Sequence, residues 1–389
     1  MAKKVSRRDF LKLAGATSAG LALSACGVQA MEVPTPTSTS TLIPSTQTPT
    51  PTSTYIPTAT SIPNTLRGYA DALGFNIGVV AETNGFNEAL ISREFNEIAV
   101  SSIGWEVIDQ KKESAYDFSI PDWYIYKYAA KNHLAVSAMH LVYGLALSEY
   151  EYVLPDWLKS GSFSRDELIE IMKKHIRKVM SHYKGQVRSY TVVNEASEPS
   201  IFWNRHVGPE YVEIAFQTAR EADPDAVLIY NDSGHETARL PKSNQVFNLV
   251  KSLKAKDLVD AVGFQMHILG EPDSYIDPRT PPTKEELLEQ MSRYGDMGVK
   301  VFITELDVDT GKLSGTKEEK WSKQAEIYGT VVEACLESSG ICKDINMWGI
   351  SDIDAWRGEA PFLYTASNQP KPAYFAVLDI LKRYYDAKK

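Results

Sequence analysis

Glu195 and Glu305 each close a short apolar run. Thr191-Val192-Val193-Asn194 leads into the first, and residues 299–304 lead into the second. Two carboxyl groups that face each other are the equipment for hydrolysing a glycosidic bond. One, protonated, gives its proton to the leaving oxygen while the other attacks the anomeric carbon, and a separation of about 5 Å permits the covalent route that retains configuration. The two groups must differ in pKa at rest. Glu305 is expected to be the ionised nucleophile, because His267 can donate to it and Asp307 can orient that imidazole. Glu195 is expected to be the acid/base, kept protonated by a less polar setting and by the negative charge of Glu305. Asn194, beside it, is expected to bond a sugar 2-hydroxyl, and Trp348 and Trp356 to supply flat apolar walls for a sugar ring.

Other chemistries lack their residues. The seven histidines are scattered with no HExxH spacing, and there is neither a GxxxxGK[ST] loop nor a Gly-x-Ser-x-Gly elbow. No metal and no cofactor are expected. A cell-surface carbohydrate-binding lipoprotein, built on the same scaffold but without turnover, is the alternative of a different class. The presence of both glutamates with His267 and Asp307 speaks against it, since a binding module has no use for such a relay. A metal-dependent hydrolase would need a ligand cluster that nothing in the spacing supplies.

Residues so far apart in the chain need a frame that gathers them. Apolar runs of strand length recur at 75–80, 95–101, 134–140, 187–193, 226–230, 261–267, 299–304 and 345–350. Between them lie stretches with helical signals. Ser164 and Glu167 form a capping box for a helix running to about 183, with Gly185 beyond it. Thr283 and Glu286 repeat the device ahead of the stripe Leu287, Leu288, Met291 and Tyr294, which Gly298 follows. Strand then helix, eight times over about 320 residues, predicts an α/β fold, a (β/α)8 TIM barrel, with a doubly wound sheet as the rival.

A barrel places its chemistry where the strands end. The fourth run ends in Asn194-Glu195 and the fifth in Asn231-Asp232, with Asn231 expected in a supporting role. The sixth carries Gln265 and His267 two apart, expected on one face of one strand and in contact with substrate. The seventh ends in Glu305-Leu306-Asp307, and the eighth carries Trp348. On the fourth and seventh strands, Glu195 and Glu305 are expected on opposite sides of the barrel, facing each other across its mouth.

The 389 residues carry 41 basic and 50 acidic side chains, a net charge of −9. Residues 1–25 hold five basic side chains and one acidic, so the remainder stands at −13, which argues against a nucleic-acid partner. Ser6-Arg7-Arg8-Asp9-Phe10-Leu11-Lys12 and the weakly apolar run behind it form a twin-arginine export signal, too short to span a bilayer. Leu23-Ser24-Ala25-Cys26 resembles the bacterial lipobox, so Cys26 is expected to be lipidated and the membrane to be met only through that anchor. The expected location is the cell surface or the extracellular space. Residues 26–63 form a linker rich in Thr, Pro and Ser that cannot bury enough surface to fold, and the catalytic barrel is expected over 64–389. Cys335 and Cys342 lie outside the cytoplasm after export, where disulfides persist, and are expected to pair. A monomer is expected.

The segments 191–195, Gly263-Phe264-Gln265-Met266-His267, Ile303-Thr304-Glu305-Leu306-Asp307 and Trp348-Gly349-Ile350-Ser351-Asp352, followed by Trp356-Arg357, resemble the family 10 glycoside hydrolases, the endo-β-1,4-xylanases. Pro155-Asp156-Trp157-Leu158, Tyr230-Asn231-Asp232 and Lys371-Pro372-Ala373-Tyr374 look like further family segments, and the cysteine pair also resembles that family's. The resemblance runs from about residue 66 to the end. It implies a retaining hydrolase of a β-1,4-linked polysaccharide or oligosaccharide, with Glu195 as acid/base and Glu305 as nucleophile. Two segments depart from it. The family's Glu-Asn…Lys-Trp after the second strand reads Ser101-Ser102-Ile103-Gly104-Trp105 here, keeping only the tryptophan. The family's His-Thr-Leu-Val-Trp-His reads His140-Leu141-Val142-Tyr143-Gly144. Trp105, His140 and Tyr143 are expected to contact the sugar. The losses around them imply weaker activity on plain xylan, or a shifted β-glycoside substrate.

Overall fold

The computed structural model describes residues 62–83, 85–145, 154–198, 200–356 and 358–389. Cys26, Arg357 and nearly all of the 26–63 linker lie outside the described residues. Nine strands appear among them: β1 Asn76–Val80, β2 Glu97–Val100, β3 Ala135–Ala138, β4 Ser189–Asn194, β5 Val227–Asp232, β6 Ala261–Phe264, β7 His267–Leu269, β8 Lys300–Asp309 and β9 Cys342–Met347. Every pairing is parallel. The ring runs β1 to β6 in chain order, passes from β6 to β8 and β9, and closes where β9 pairs with β1. It is a closed eight-stranded barrel with helices between the strands, and β7 is a short ninth strand paired to the far half of β8. Strands buried on both faces read as continuous apolar runs, which is why β2 and β4 are buried at every position.

The helices start where their caps predict. Ser164 and Glu167 open the helix Arg165–His182, and Thr283 and Glu286 open Lys284–Gly295, each through a reciprocal capping box. Leu287, Met291 and Tyr294 are buried against the barrel. A third box, Thr316 with Glu319, opens the helix Lys317–Glu337. Near its end Cys335 is disulfide-bonded to Cys342, the first residue of β9, so the bond ties the last strand to the helix before it.

Three expectations about the strands are corrected. The sixth run is broken: β6 stops at Phe264 and Met266 takes φ +62, a left-handed turn that no strand residue adopts, so Gln265 and His267 do not share one strand face. The seventh run is longer than its apolar stretch. β8 continues to Asp309, and Glu305 lies inside it, within the register shift against β9 between Ile303 and Leu306. Such irregularities re-aim side chains. Nor do the fourth and seventh barrel strands stand diametrically opposite. Only β5 and β6 separate β4 from β8, so the site occupies one sector of the mouth.

Candidate active site

Glu195 follows β4 directly, in the left-handed region at φ +55, with its backbone N–H donating to the Asn231 carbonyl at 2.9 Å. Its carboxyl group has two donors: Gln265 Nε2 at 2.9 Å from Oε1 and the Tyr143 hydroxyl at 2.8 Å from Oε2. Tyr143 reaches it because the chain beyond β3 stays paired to β4, Val142 N–H donating to the Val192 carbonyl at 2.9 Å. Burial pushes the Glu195 carboxyl above its usual range, and the charges of Asp232 and Glu305 push the same way against the Gln265 and Tyr143 donors.

Glu305 stands in the opposite condition. Its Oε1 accepts from Asn231 Nδ2 at 2.7 Å and its Oε2 from His267 Nε2 at 3.1 Å, while His140 Nε2 stands 3.7 Å from Oε1. Burial would raise this carboxyl, but the His140 and His267 imidazoles overcome it and hold it down at about 2. At 3.7 Å His140 is beyond hydrogen-bond length, so His267 is the bonded donor of the two. His267 passes its other nitrogen to Asp307 Oδ2 at 3.0 Å, and Trp356 Nε1 donates to the same oxygen at 2.8 Å. Burial disfavours the charged imidazole, yet Asp307 and Glu305 outweigh it and lift the His267 pKa to about 10. His267 is therefore an imidazolium at neutral pH, donating from both nitrogens.

A chain of amides joins the two carboxyl groups. Gln265 Nε2, bonded to Glu195, also lies 3.3 Å from Asn194 Oδ1, and Asn231 Nδ2 spans from that same oxygen, at 2.8 Å, to Glu305. Thr304 Oγ1 fixes the far end of Asn231 by donating to its Oδ1 at 2.6 Å. With its oxygen committed, Asn194 keeps its amide NH2 as a donor without a partner among the described residues. Trp348 and Trp356 flank His267 at ring separations of 5.6 and 4.9 Å and stand 70° to each other, two walls of one corner. A carboxyl whose proton is held more tightly than usual, a carboxylate kept ionised and an amide donor beside them can act as a proton donor, a nucleophile and a hydroxyl ligand at one place.

Two features here were not anticipated from sequence. Lys242 binds Asp232 at 2.9 Å and Glu198 at 2.8 Å, pinning the loop behind Glu195. In the sector of β1 to β3, Glu82 turns its carboxylate onto Ser101 and Ser102. Ser101 Oγ donates to Oε2 at 2.7 Å and Ser102 N–H to Oε1 at 3.0 Å, and the Ser101 N–H and Ser102 hydroxyl complete the set. Burial pushes Glu82 upward, opposed by these serine donors. Its signal in the sequence is alternation: Glu82 lies two residues beyond Val80, which faces the interior with Ala99, Met139 and Trp348. A carboxylate from the end of the neighbouring strand thus sits directly on the segment that departs from the family pattern.

Trp105 is a correction. It is 1% exposed, stacks on the His175 ring at 3.8 Å and donates from Nε1 to the Leu141 carbonyl at 2.9 Å, so it packs the core behind the cleft and offers no face to a sugar. Gly144 opens no space either. A Cβ there would stand 3.0 Å from Leu154 and 3.3 Å from Phe202 and Trp203, whose side chains fill the volume.

Comparison with known proteins agrees with this geometry. Residues 65–380 match the family model described as Glycosyl hydrolase family 10, and residues 4–24 match that of the twin-arginine translocation signal sequence. The chain is 32% identical over 338 residues to endo-1,4-beta-xylanase B of Thermotoga neapolitana, covering 82% of this chain and 91% of the relative. It is similar in structure to native xylanase 10B from Thermotoga maritima, with a TM-score of 0.73 and 31% identity over 83% of this chain and 99% of that one. Xylanase 10B from Thermotoga petrophila, solved in complex with xylobiose, gives a TM-score of 0.72 and 31% identity over 82% and 98% of the two chains.

Proposed function

The chain belongs to glycosyl hydrolase family 10, and from that footing we propose that it is an endo-1,4-β-xylanase-type enzyme that cuts xylan or a related β-glycan with retention of configuration. In the first step the Glu195 carboxyl gives its proton to the glycosidic oxygen as the Glu305 carboxylate attacks the anomeric carbon. The C–O bond to the leaving sugar breaks and a glycosyl ester forms on Glu305. In the second step the Glu195 carboxylate takes a proton from water, the water oxygen attacks the same carbon, and the Glu305 carboxylate is released. His267 and Asp307 hold Glu305 ionised and aimed. The Asn194 NH2 binds the 2-hydroxyl, a contact that strengthens as the sugar becomes oxocarbenium-like. Trp348 and Trp356 wall the sugar, and His140, Tyr143 and Gln265 complete the contacts around the two carboxyl groups.

The observation that carries this reading is the different company of two carboxyl groups in one hydrogen-bonded chain: Glu195 beside Gln265 and Tyr143, where burial raises it, and Glu305 bonded to Asn231 and His267, where the imidazole lowers it. Proton NMR of fresh hydrolysate from xylo-oligosaccharides tests it. The first product is expected as the β-anomer, and initial release of the α-anomer overturns the mechanism. Tight oligosaccharide binding without any turnover would favour the binding-lipoprotein alternative.

The twin-arginine signal directs export. Lipidation of Cys26, with the Thr/Pro/Ser-rich 26–63 segment as a spacer, would hold a monomeric barrel away from the membrane surface. Mass spectrometry of the mature N-terminus tests the anchor, with a diacylglyceryl Cys26 expected.

A further inference from the structure

A third carboxylate is buried behind Glu195. Asp232 ends β5, has no exposed surface and gathers four donors: Lys242 Nζ at 2.9 Å and the Ser233 N–H at 2.8 Å on Oδ1, and the Ser197 and Tyr230 hydroxyls, each at 2.7 Å, on Oδ2. Lys242 precedes the helix Ser243–Lys254 and passes its stem beside Gly234, where a Cβ would stand 3.7 Å from it. Its ammonium also donates to Glu198 Oε1 at 2.8 Å. Burial disfavours that charge, but Asp232 and Glu198 outweigh it and hold the amine protonated. Among the described residues Lys242 is the cation paired with Asp232.

Three links carry this pair to Glu195. The Glu195 N–H donates to the carbonyl of Asn231, next to Asp232, at 2.9 Å. Gln265, which bonds Glu195 Oε1, sets its own N–H on the Asp232 carbonyl at 3.3 Å. Ser197, two residues beyond Glu195, donates to the Asp232 carboxylate itself. The charge of Asp232 also reaches Glu195, and it lifts that carboxyl more than the charge of Glu305 does. The other titratable groups turned toward these carboxyls are Tyr143 and Glu305 on Glu195, and Glu198, Tyr211, Tyr230, Tyr294 and Glu236 around Asp232. Burial drives the phenols of Tyr211, Tyr230 and Tyr294 well above their ordinary range, so none of them releases a proton near neutral pH. His235 turns away, onto the Tyr294 hydroxyl and the Gly263 carbonyl.

The two steps ask opposite things of Glu195. It must hold a proton until the glycosidic oxygen takes it, and then stay ionised until water supplies another. An unpaired anion behind it would help the first demand and obstruct the second; an anion with its own cation meets both. We propose that Asp232 and Lys242 are positioning residues that tune Glu195 from behind, Asp232 favouring the protonated acid of the first step and Lys242 limiting that influence so that the carboxylate is available as the base of the second. This rests on the assignment of Glu195 as acid/base.

The test uses the exported protein and its Lys242→Met, Asp232→Asn and Glu198→Gln variants, with kcat/KM on xylopentaose measured against pH. Lys242→Met leaves Asp232 three donors and no cation, and the alkaline limb is expected to rise by about 0.5 to 1 pH unit, less than a charge in direct contact gives. Asp232→Asn removes the anion and should lower the limb by a similar amount. Glu198→Gln leaves Lys242 wholly to Asp232 and should lower it by less. The acid limb should stay in all three. A loss of kcat/KM at every pH with both limbs in place is what a merely structural role produces, and it overturns the proposal, as do shifts of the same sign in Lys242→Met and Asp232→Asn. Should neither of those two fold, Glu198→Gln, on the exposed edge of the pair, decides: a lowered limb supports the proposal and an unmoved limb overturns it. If the parent protein turns over no β-xyloside, the proposed function has failed. Carbon-13 NMR titration of carboxyl-labelled glutamate, with the Glu195 signal identified by its absence from Glu195→Gln, then reads the pair alone: opposite displacements of that titration in Lys242→Met and Asp232→Asn support it, and an unchanged titration overturns it.

Discussion

The mouth of the barrel has two sectors that solve different problems. Along β4, β5, β6 and β8 the polar groups are coupled, and Gln265, Asn194 and Asn231 link the carboxyl groups of Glu195 and Glu305 directly. Along β1 to β3 the carboxylate of Glu82 instead closes a local loop of four serine donors and reaches neither glutamate. In the first sector a residue's worth lies in the proton it controls; in the second it lies in the shape it holds. The difference teaches that the coupled sector constrains donors and acceptors one by one, whereas in the other a single buried carboxylate is satisfied locally by the two serines it meets.

Substitutions should separate the two sectors, from the largest effect downward. Glu305→Gln is expected to lower kcat on xylo-oligosaccharides by about 10⁴-fold or more with little change in melting temperature, as removal of a nucleophile does. Glu195→Gln should cost about 10²- to 10⁴-fold on unactivated oligosaccharides. On an aryl glycoside whose leaving group needs no proton the loss should be far smaller. Equal losses on both substrates would remove Glu195 from the proton-donor role.

The pH profile sharpens the same contrast. Glu305 must be ionised and sits at about 2, so acid should not silence kcat/KM through it until pH falls toward that value. Glu195 must be protonated and lies above its usual range, so activity should fall as pH rises through that raised pKa. Tyr143→Phe removes a donor that favours the charged form of Glu195. The pKa then rises further, and the alkaline limb should move to higher pH while the acid limb stays.

Glu82→Ala should behave otherwise. It strands the donors of Ser101 and Ser102, and is expected to destabilise the fold by about 1 to 3 kcal/mol, read as a lower melting temperature. The alkaline limb should not shift. A displaced pH profile in Glu82→Ala would mean that the two sectors are coupled after all.

Much of this was legible in the sequence, for identifiable reasons. Capping boxes are local, so Ser164 with Glu167 and Thr283 with Glu286 predict helix starts without help from distant residues. The apolar runs mark the barrel strands because a strand buried on both faces carries its signal in four to six consecutive residues. The relay from Glu305 through His267 to Asp307 could be anticipated from residue types at adjacent strand ends. The break at Met266 could not, because a left-handed residue that is not glycine leaves no mark in a hydrophobic pattern. The burial of Trp105 is not legible either, because a tryptophan beside a cleft and one beneath it have the same neighbours in sequence; the His175 ring that it stacks on is 70 residues away.

The sequence by itself determined the alternation that makes a barrel, the residue types at the strand ends and the division of labour expected of two glutamates. Those follow from short-range periodicity and from the chemistry of single side chains. Only the tertiary structure decided the donors that set each carboxyl, with Glu305 held down at about 2 against its burial, and the seating of the Glu82 carboxylate on Ser101 and Ser102. The reason is physical. A carboxyl's proton affinity and a pocket's shape are set by donors, charges and desolvation within a few ångströms, and closure of the ring brings those groups from strands far apart in the chain.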